Sequence, residues 1–214
     1  SGKLESPERP YAAFLGGAKV ADKIPVIKGL LSKVDALCMG GAMAYTFLAA
    51  EGQPVGASPV ESGLVDACRE TLELARARGV RCRLPVDHRA AISMEDPEVR
   101  IVSASDFPAG VAGFDIGPAT ADLFSKEAAG SRTIFWNGPM GVFEKPQFSE
   151  GTLALAKAIA ESGAVTVVGG GDSISAVHKA GVADKISHIS TGGGASLELL
   201  AGERLPGLGV LTRK

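Results

Sequence analysis

The chain has 214 residues, which suits one large domain better than two ordinary ones. Its 22 basic and 24 acidic side chains are interspersed and give a formal net charge of −2, which argues against a nucleic-acid-binding surface or a polybasic membrane patch. A hydrophobic fraction of 45% excludes a disordered chain, and 28 glycines cluster at the ends of short apolar runs. No apolar stretch is long enough for a transmembrane helix, and the N-terminus lacks the pattern of a signal peptide. The 3 cysteines show no CxxC spacing, which favours reduced thiols in a cytosolic protein.

In the first half of the chain, short apolar runs end in glycine pairs and lead into segments of helical composition. Predicted strands cover Tyr11–Leu15, Ala36–Met39 and 80–86, and predicted helices cover 42–50 and 61–78. A further helix is expected between the first two strands, because Pro25 suits the first turn of a helix and not its middle. Gly16-Gly17 and Gly40-Gly41 form the turns that follow these two strands.

Residues 87–114 include Pro97 and Pro108 and are predicted to form short strands and loops. The regular pattern then returns, with predicted helices over 120–129, 149–162 and 195–201 and predicted strands over 133–136, 165–168 and His188–Ser190. A short helix is expected after the glycines at 169–171. This repeated order of strand, glycine turn and helix predicts a parallel, doubly wound α/β sheet.

The glycine turns indicate a ligand site at one edge of this sheet. Ligands in such sheets bind beyond the carboxyl ends of the strands, where helix N-termini offer unpaired amides and glycine lets the backbone approach a phosphate. The alternative is that each glycine only permits tight packing of strand against helix. Four glycine-rich junctions, several with a charged neighbour, favour phosphate binding. The sequence has no GxxxxGK[ST] and no GxGxxG after the first strand, so any nucleotide site differs from the common phosphate motifs.

Two lysines follow the first glycine turn. Lys19 and Lys23 are four residues apart, so at the start of a helix both ammonium groups would face one side and bind phosphate. The alternative is a pair of solvated surface lysines.

The later glycine turns differ in charge. Asp172 and Ser173 follow the glycines at 169–171, so Asp172 is either a helix N-cap or a contact of phosphate-bound Mg²⁺. The turn at 191–194 contains Thr191 and three glycines and no charge. Its amides would bind a phosphoryl group in transit.

The loop from Trp136 to Glu144 is unusual for a strand end. Glu144 is either a solvated charge or an acceptor for ribose hydroxyls. The three histidines, His88, His178 and His188, show no spacing typical of a metal or catalytic site and are expected to be structural or exposed.

Four strings, taken in order, resemble the nucleotide-binding, C-terminal half of the phosphoglycerate kinase family. They are GGAKVADK at 16–23, WNGPMGVFE at 136–144, GGGDS at 169–173 and STGGGASLE at 190–198. The resemblance runs from about Pro7 to the last residue. It implies a Rossmann-like three-layer α/β sandwich with a mostly parallel six-stranded sheet, which binds MgADP or MgATP. The family transfers the acyl phosphate of 1,3-bisphosphoglycerate reversibly to ADP in glycolysis.

The resemblance also implies a role for each motif residue. Lys19 and the Gly193 and Gly194 amides would stabilise the transferring phosphoryl group, and Lys23 would hold the α-phosphate. Asp172 would contact Mg²⁺. The remaining nucleotide contacts would be Gly17, Ala18, Gly40 and Gly41 at the adenine, Asn137 and Pro139 at the border of the nucleotide, Glu144 at the ribose hydroxyls, and Gly170, Gly171 and Ser173 near the phosphates. Ser173 stands where the family usually has a threonine.

The chain departs from the family pattern in sequence and in length. Ala119 replaces a usual lysine, and Ala42 replaces a common third glycine. The family is roughly twice as long, and the arginine- and histidine-rich half that binds 3-phosphoglycerate has no counterpart here. We therefore expect residues 1–8 to end an interdomain segment and 205–214 to be a tail that returns to the other domain.

These features predict a cytoplasmic monomer that binds adenine nucleotide and turns over little or not at all by itself. A free-standing nucleotide-binding module that acts with a partner chain is the alternative. A NAD-dependent dehydrogenase domain is disfavoured because GxGxxG is missing.

Overall fold

A computed structural model describes residues 7–190 of the chain. The strands of its main sheet are β1 (Tyr11–Leu15), β2 (Ala36–Met39), β3 (Arg81–Arg83), β7 (Thr133–Asn137), β8 (Val165–Gly169) and β9 (His188–Ser190). All six are parallel, in the order β3-β2-β1-β7-β8-β9. A second sheet contains the antiparallel strands β4 (Asp87–Ala91), β5 (Arg100–Ser103) and β6 (Ala112–Ile116), in the order β5-β4-β6.

Helices cover both faces of the main sheet. Within residues 7–190 they are α1 (Ile24–Leu30), α2 (Met43–Ala50), α3 (Val65–Ala77), α4 (Pro118–Ala129), α5 (Glu150–Glu161) and α6 (Gly171–Lys179). Alternate residues of β1 pack on opposite sides: Tyr11 and Leu15 join a core with α1, α2 and α3, whereas Phe14 joins a core with α4, α5 and α6. The predicted doubly wound, three-layer sandwich with a six-stranded sheet is therefore confirmed. None of these helices is both long and apolar enough to cross a membrane.

Two of the predicted elements are shorter than expected. The strand predicted over 80–86 is limited to Arg81–Arg83, because Pro85 has no amide to donate and the next strand starts in another sheet at Asp87. The helix predicted over 61–78 opens with a 3₁₀ turn at Ser62–Leu64 and becomes α-helical over Val65–Ala77.

The main sheet reverses its order beside β1. The chain moves from β1 outward to β2 and β3, and then returns to place β7 on the other side of β1. Such a switch point opens a crevice at the carboxyl ends of the two central strands, which is where ligands bind in open α/β sheets. The predicted helix at 195–201, Gly193, Gly194 and the tail at 205–214 lie outside the described residues.

Candidate functional site

The turns after β1, β2 and β7 meet at the switch point and are joined through their backbones. The Gly17 amide donates to the Pro139 carbonyl at 3.0 Å, and the Gly41 amide donates to the Met140 carbonyl at 2.9 Å. The Met43 amide, at the start of α2, donates to the Gly17 carbonyl at 3.1 Å. The glycines at these turns therefore do permit tight packing, which was the alternative to phosphate binding. This packing also forms the wall of two adjoining cavities.

The first cavity is a cleft of about 440 Å³ beside the ends of β1, β7 and β8. Its lining includes ten predicted site residues, namely Gly17, Ala18, Lys19, Lys23, Asn137, Pro139, Gly170, Gly171, Asp172 and Ser173. These residues come from three separate turns, so the fold brings together the motifs that the sequence pointed to.

Lys19 and Lys23 line this cleft without sharing a helix. The predicted helical spacing is wrong, because α1 begins at Ile24 and Lys23 is its N-cap, while Lys19 lies exposed in the preceding turn. Lys23 is half-buried and donates to the Asn137 side-chain oxygen. Burial lowers the pKa of Lys23, and the carboxylates of Asp22 and Asp172 oppose that shift. A bound phosphate would favour the ammonium form in the same way.

The N-terminus of α6 forms another side of the cleft. Gly170 is its N-cap at φ +91°, and no described side chain caps the helix, so its first amides are free to bind an anion. Asp172 lies exposed in the first turn and is not the N-cap, so that alternative is wrong. The buried Ser173 hydroxyl accepts from the Gly138 amide at 2.6 Å, which joins α6 to the loop after β7.

The second cavity, of about 320 Å³, adjoins the first and is mainly apolar. Six predicted residues line it: Gly17, Ala18, Gly41, Pro139, Glu144 and Asp172. Sequence reasoning missed most of its opposite wall, which includes Tyr45, Pro59, Met94, Gly113, Phe114 and Asp115. Gly40 lines neither cavity; it is buried against Met140.

Glu144 lies at the edge of the apolar cavity. Its side chain is exposed and has no hydrogen bond or ion pair with residues 7–190. The Val142 amide, two residues earlier, donates to the Phe114 carbonyl at 2.8 Å, which ties this loop to β6. The carboxylate is therefore free to accept hydrogen bonds from a ligand in the cavity.

Asp115 is a buried acid in the wall of the apolar cavity. Burial raises its pKa to about 7. Hydrogen bonds from the Gly151 and Ile116 amides and the charge of Arg89 act in the opposite direction and lower it by less than burial raises it. Asp115 begins the string at 115–120, which also contains Ala119. Ala119 is exposed in the first turn of α4 and lines neither cavity.

The histidines are structural or exposed, as predicted. His88 is buried, and its Nδ1 lies 3.1 Å from the Tyr45 hydroxyl. Burial lowers the pKa of His88 to about 4, so its ring is neutral at neutral pH. His178 and His188 are exposed.

A resident metal site is absent from residues 7–190, where no three His, Cys, Asp or Glu side chains are grouped to hold an ion. Asp172 could instead be a ligand of a magnesium ion that binds together with phosphate. Phosphate-bound Mg²⁺ takes one or two carboxylates and obtains its other ligands from phosphate and water.

Comparisons with known proteins agree on one family. The family model for phosphoglycerate kinase matches residues 1–203. A phosphoglycerate kinase of Koribacter versatilis is 55% identical over 217 residues, which is 100% of this chain and 54% of the relative. One from Clostridium botulinum is 51% identical over 208 residues, covering 97% of this chain and 52% of the relative. The solved phosphoglycerate kinase of Coxiella burnetii matches with a TM-score of 0.94 at 43% identity, covering 98% of this chain and 55% of that one. The chain thus spans about half the length of the relatives it matches.

Proposed function

The chain belongs to the phosphoglycerate kinase family, and we propose that it supplies the nucleotide site for reversible phosphoryl transfer between 1,3-bisphosphoglycerate and MgADP, giving 3-phosphoglycerate and MgATP. The observation that carries this proposal is the apolar cavity that opens into a lysine-lined cleft at the switch point of the sheet. A base fits the first and phosphates fit the second. The partner-dependent nucleotide module is not favoured, because the family match extends over nearly the whole chain.

The adenosine would occupy the apolar cavity. Gly17, Ala18 and Gly41 would contact the adenine, with Gly40 packed behind them, and Pro139 would border it. Glu144 would accept hydrogen bonds from the ribose hydroxyls. This role is supported by its exposed carboxylate, which has no partner among the described residues.

The phosphates would occupy the polar cleft. Lys23 would bind the α-phosphate, and Asn137 would fix Lys23, because the Asn137 side chain accepts from Lys23 and donates to the Gly169 carbonyl at 2.8 Å. The backbone at Gly170 and Gly171 and the hydroxyl of Ser173 would contact the phosphates at the α6 N-terminus. Asp172 would bind Mg²⁺, which neutralises phosphate charge when it is bound.

The transfer step depends on positioning and on charge stabilisation. Lys19 is exposed at the mouth of the cleft, where its ammonium group would reach the phosphoryl group as it passes between the substrates. The Gly193 and Gly194 amides would complete this cradle. The 3-phosphoglycerate would be bound by the rest of a longer protein, which we propose to be a cytoplasmic monomer that has no nucleic-acid partner. The free thiols of Cys38, Cys68 and Cys82 are consistent with that compartment.

Replacing Lys23 with methionine is expected to weaken MgADP binding by tenfold or more, since a charge-assisted hydrogen bond to phosphate contributes roughly 1.5–3 kcal/mol. Isothermal titration calorimetry of MgADP measures the effect. Lys126→Met is the matched control, because Lys126 is exposed on α4 and pairs only with Asp122 among the described residues. Equal affinities in the two variants would contradict the phosphate role, and tight binding of NAD without MgADP would refute the nucleotide assignment.

Turnover gives a second test. The 214-residue chain by itself is expected to form ATP at least about a hundredfold more slowly than the full-length Koribacter versatilis relative, because loss of even one preorganised donor costs about 10²–10³ in rate. A coupled assay for ATP formation measures the ratio. Comparable rates would show that the chain does not need the other half of its relatives.

A further inference from the structure

Lys179, at the C-terminal end of α6, contacts the loop that carries Glu144. Its Nζ donates to the Phe143 carbonyl at 2.6 Å and lies 5.8 Å from the centre of the Phe143 ring. Phe143 is buried in the core cluster that includes Val177 of α6. Lys179 itself lines neither cavity. The loop connects Lys179 to Glu144, which lines the apolar cavity.

The contact acts on the peptide unit that immediately precedes Glu144. The Phe143 carbonyl, the Glu144 amide and the Glu144 Cα lie in one plane, so fixing the carbonyl fixes the position of that Cα and leaves only rotation about the bonds beyond the amide nitrogen to direct the side chain. The Phe143 amide donates to the Gly141 carbonyl at 2.9 Å. Among residues 7–190, Lys179 is the only hydrogen-bond donor to the Phe143 carbonyl.

Helix α6 thus contacts this loop at both ends. Ser173, in the first turn of the helix, accepts a hydrogen bond from the Gly138 amide at the start of the loop. Lys179, the last residue of the helix, donates to the Phe143 carbonyl near the end of the loop. The helix that would bind the phosphates is therefore also attached to the residue that would bind the ribose. A shift of the loop relative to α6 would change the distance between these two subsites.

We propose that Lys179 is a positioning residue for the ribose subsite: it orients the Glu144 carboxylate toward the ribose hydroxyls. The inference rests on the proposed nucleotide site. Because Lys179 lines neither cavity and contacts the peptide unit before Glu144, we expect its effect to be larger for ligands with those hydroxyls.

The test compares two ligands and two substitutions by isothermal titration calorimetry, with MgADP and Mg-2′,3′-dideoxy-ADP as probes. Lys179→Met keeps the apolar stem and removes the donor, so it is expected to weaken MgADP by about fivefold and the dideoxy nucleotide by less than about twofold. Lys179→Arg is expected to restore most of the MgADP affinity, because arginine also donates to a carbonyl and packs over an aromatic ring.

The controls separate this inference from the nucleotide assignment. Glu144→Gln should reduce the preference for MgADP over the dideoxy nucleotide, and Lys126→Met should leave both affinities unchanged. Equal weakening of both nucleotides by Lys179→Met, or unchanged MgADP affinity, overturns the inference alone. Absence of MgADP binding by the wild-type chain overturns the proposed function and this inference together.

Discussion

Replacing Gly41 with alanine is expected to lower the free energy of unfolding by about 3 kcal/mol, because two penalties add. Gly41 has φ +68°, a left-handed conformation that costs alanine roughly 1–2 kcal/mol. A Cβ there would also lie 2.6 Å from both the Gly17 amide nitrogen and the Gly17 carbonyl oxygen. These are backbone atoms within the junction of three strand ends, so relief requires a shift of the junction itself.

Gly163→Ala is the matched control for this prediction. Gly163 is exposed after α5 and has nearly the same φ, +70°, but a Cβ there would meet nothing within 4 Å. The control is therefore expected to lose only the conformational part, about 1 kcal/mol. Urea unfolding followed by fluorescence measures both, since Trp136 is the single tryptophan and is fully buried in β7. Equal unfolding midpoints would show that the junction tolerates a Cβ.

The main sheet was predictable because its signals are local. Each central strand is a short apolar run that ends in a glycine turn, and β1 is buried on both faces, as a central parallel strand must be. The second sheet was not predictable in detail. Its strands pair antiparallel across long separations, for example His88 with Ile116, and no tight hairpin turn marks that pairing in the sequence.

The candidate site was predictable in composition and less so in geometry. The glycine turns located the lysines and Asp172, and Pro25 lies in the first turn of α1 as predicted, but Lys19 lies before that helix. The Val20 amide donates to the Glu61 carboxylate at 2.5 Å, a contact between residues 41 positions apart that local sequence does not reveal. Lys179 and Asp115 each form a hydrogen bond with a residue 36 positions away, which local spacing does not reveal either.

Two buried groups with shifted pKa values are expected to give the chain opposing pH dependences. Asp115 is neutral in the folded state up to its pKa of about 7, because burial outweighs the hydrogen bonds from Gly151 and Ile116 and the charge of Arg89. The unfolded chain ionises this carboxyl near pH 4. Its contribution to stability is therefore present below about pH 4 and is lost as pH rises to about 7, by on the order of 4 kcal/mol.

His88 has the opposite dependence. Burial among Tyr45 and Phe107 lowers its pKa to about 4, and the nearby charge of Asp87 only partly opposes that shift. The unfolded chain binds this proton near pH 6.5. The His88 contribution is therefore present above about pH 6.5 and is lost as pH falls to about 4, by on the order of 3 kcal/mol. Tyr45 stays neutral throughout, because burial raises its pKa.

The two dependences overlap between about pH 4.5 and 6.5 and should nearly cancel in the wild-type chain. Substituting one of the two groups is expected to reveal the pH dependence that the other gives to the free energy of unfolding. Asp115→Asn should become less stable as pH falls through this window, whereas His88→Gln should become more stable, whatever constant cost each substitution carries. Urea unfolding at several pH values, read from Trp136 fluorescence, measures the two slopes. Other titrating groups affect both variants alike, so the difference between the slopes isolates this pair. Parallel pH profiles would mean that neither group keeps its buried neutral form.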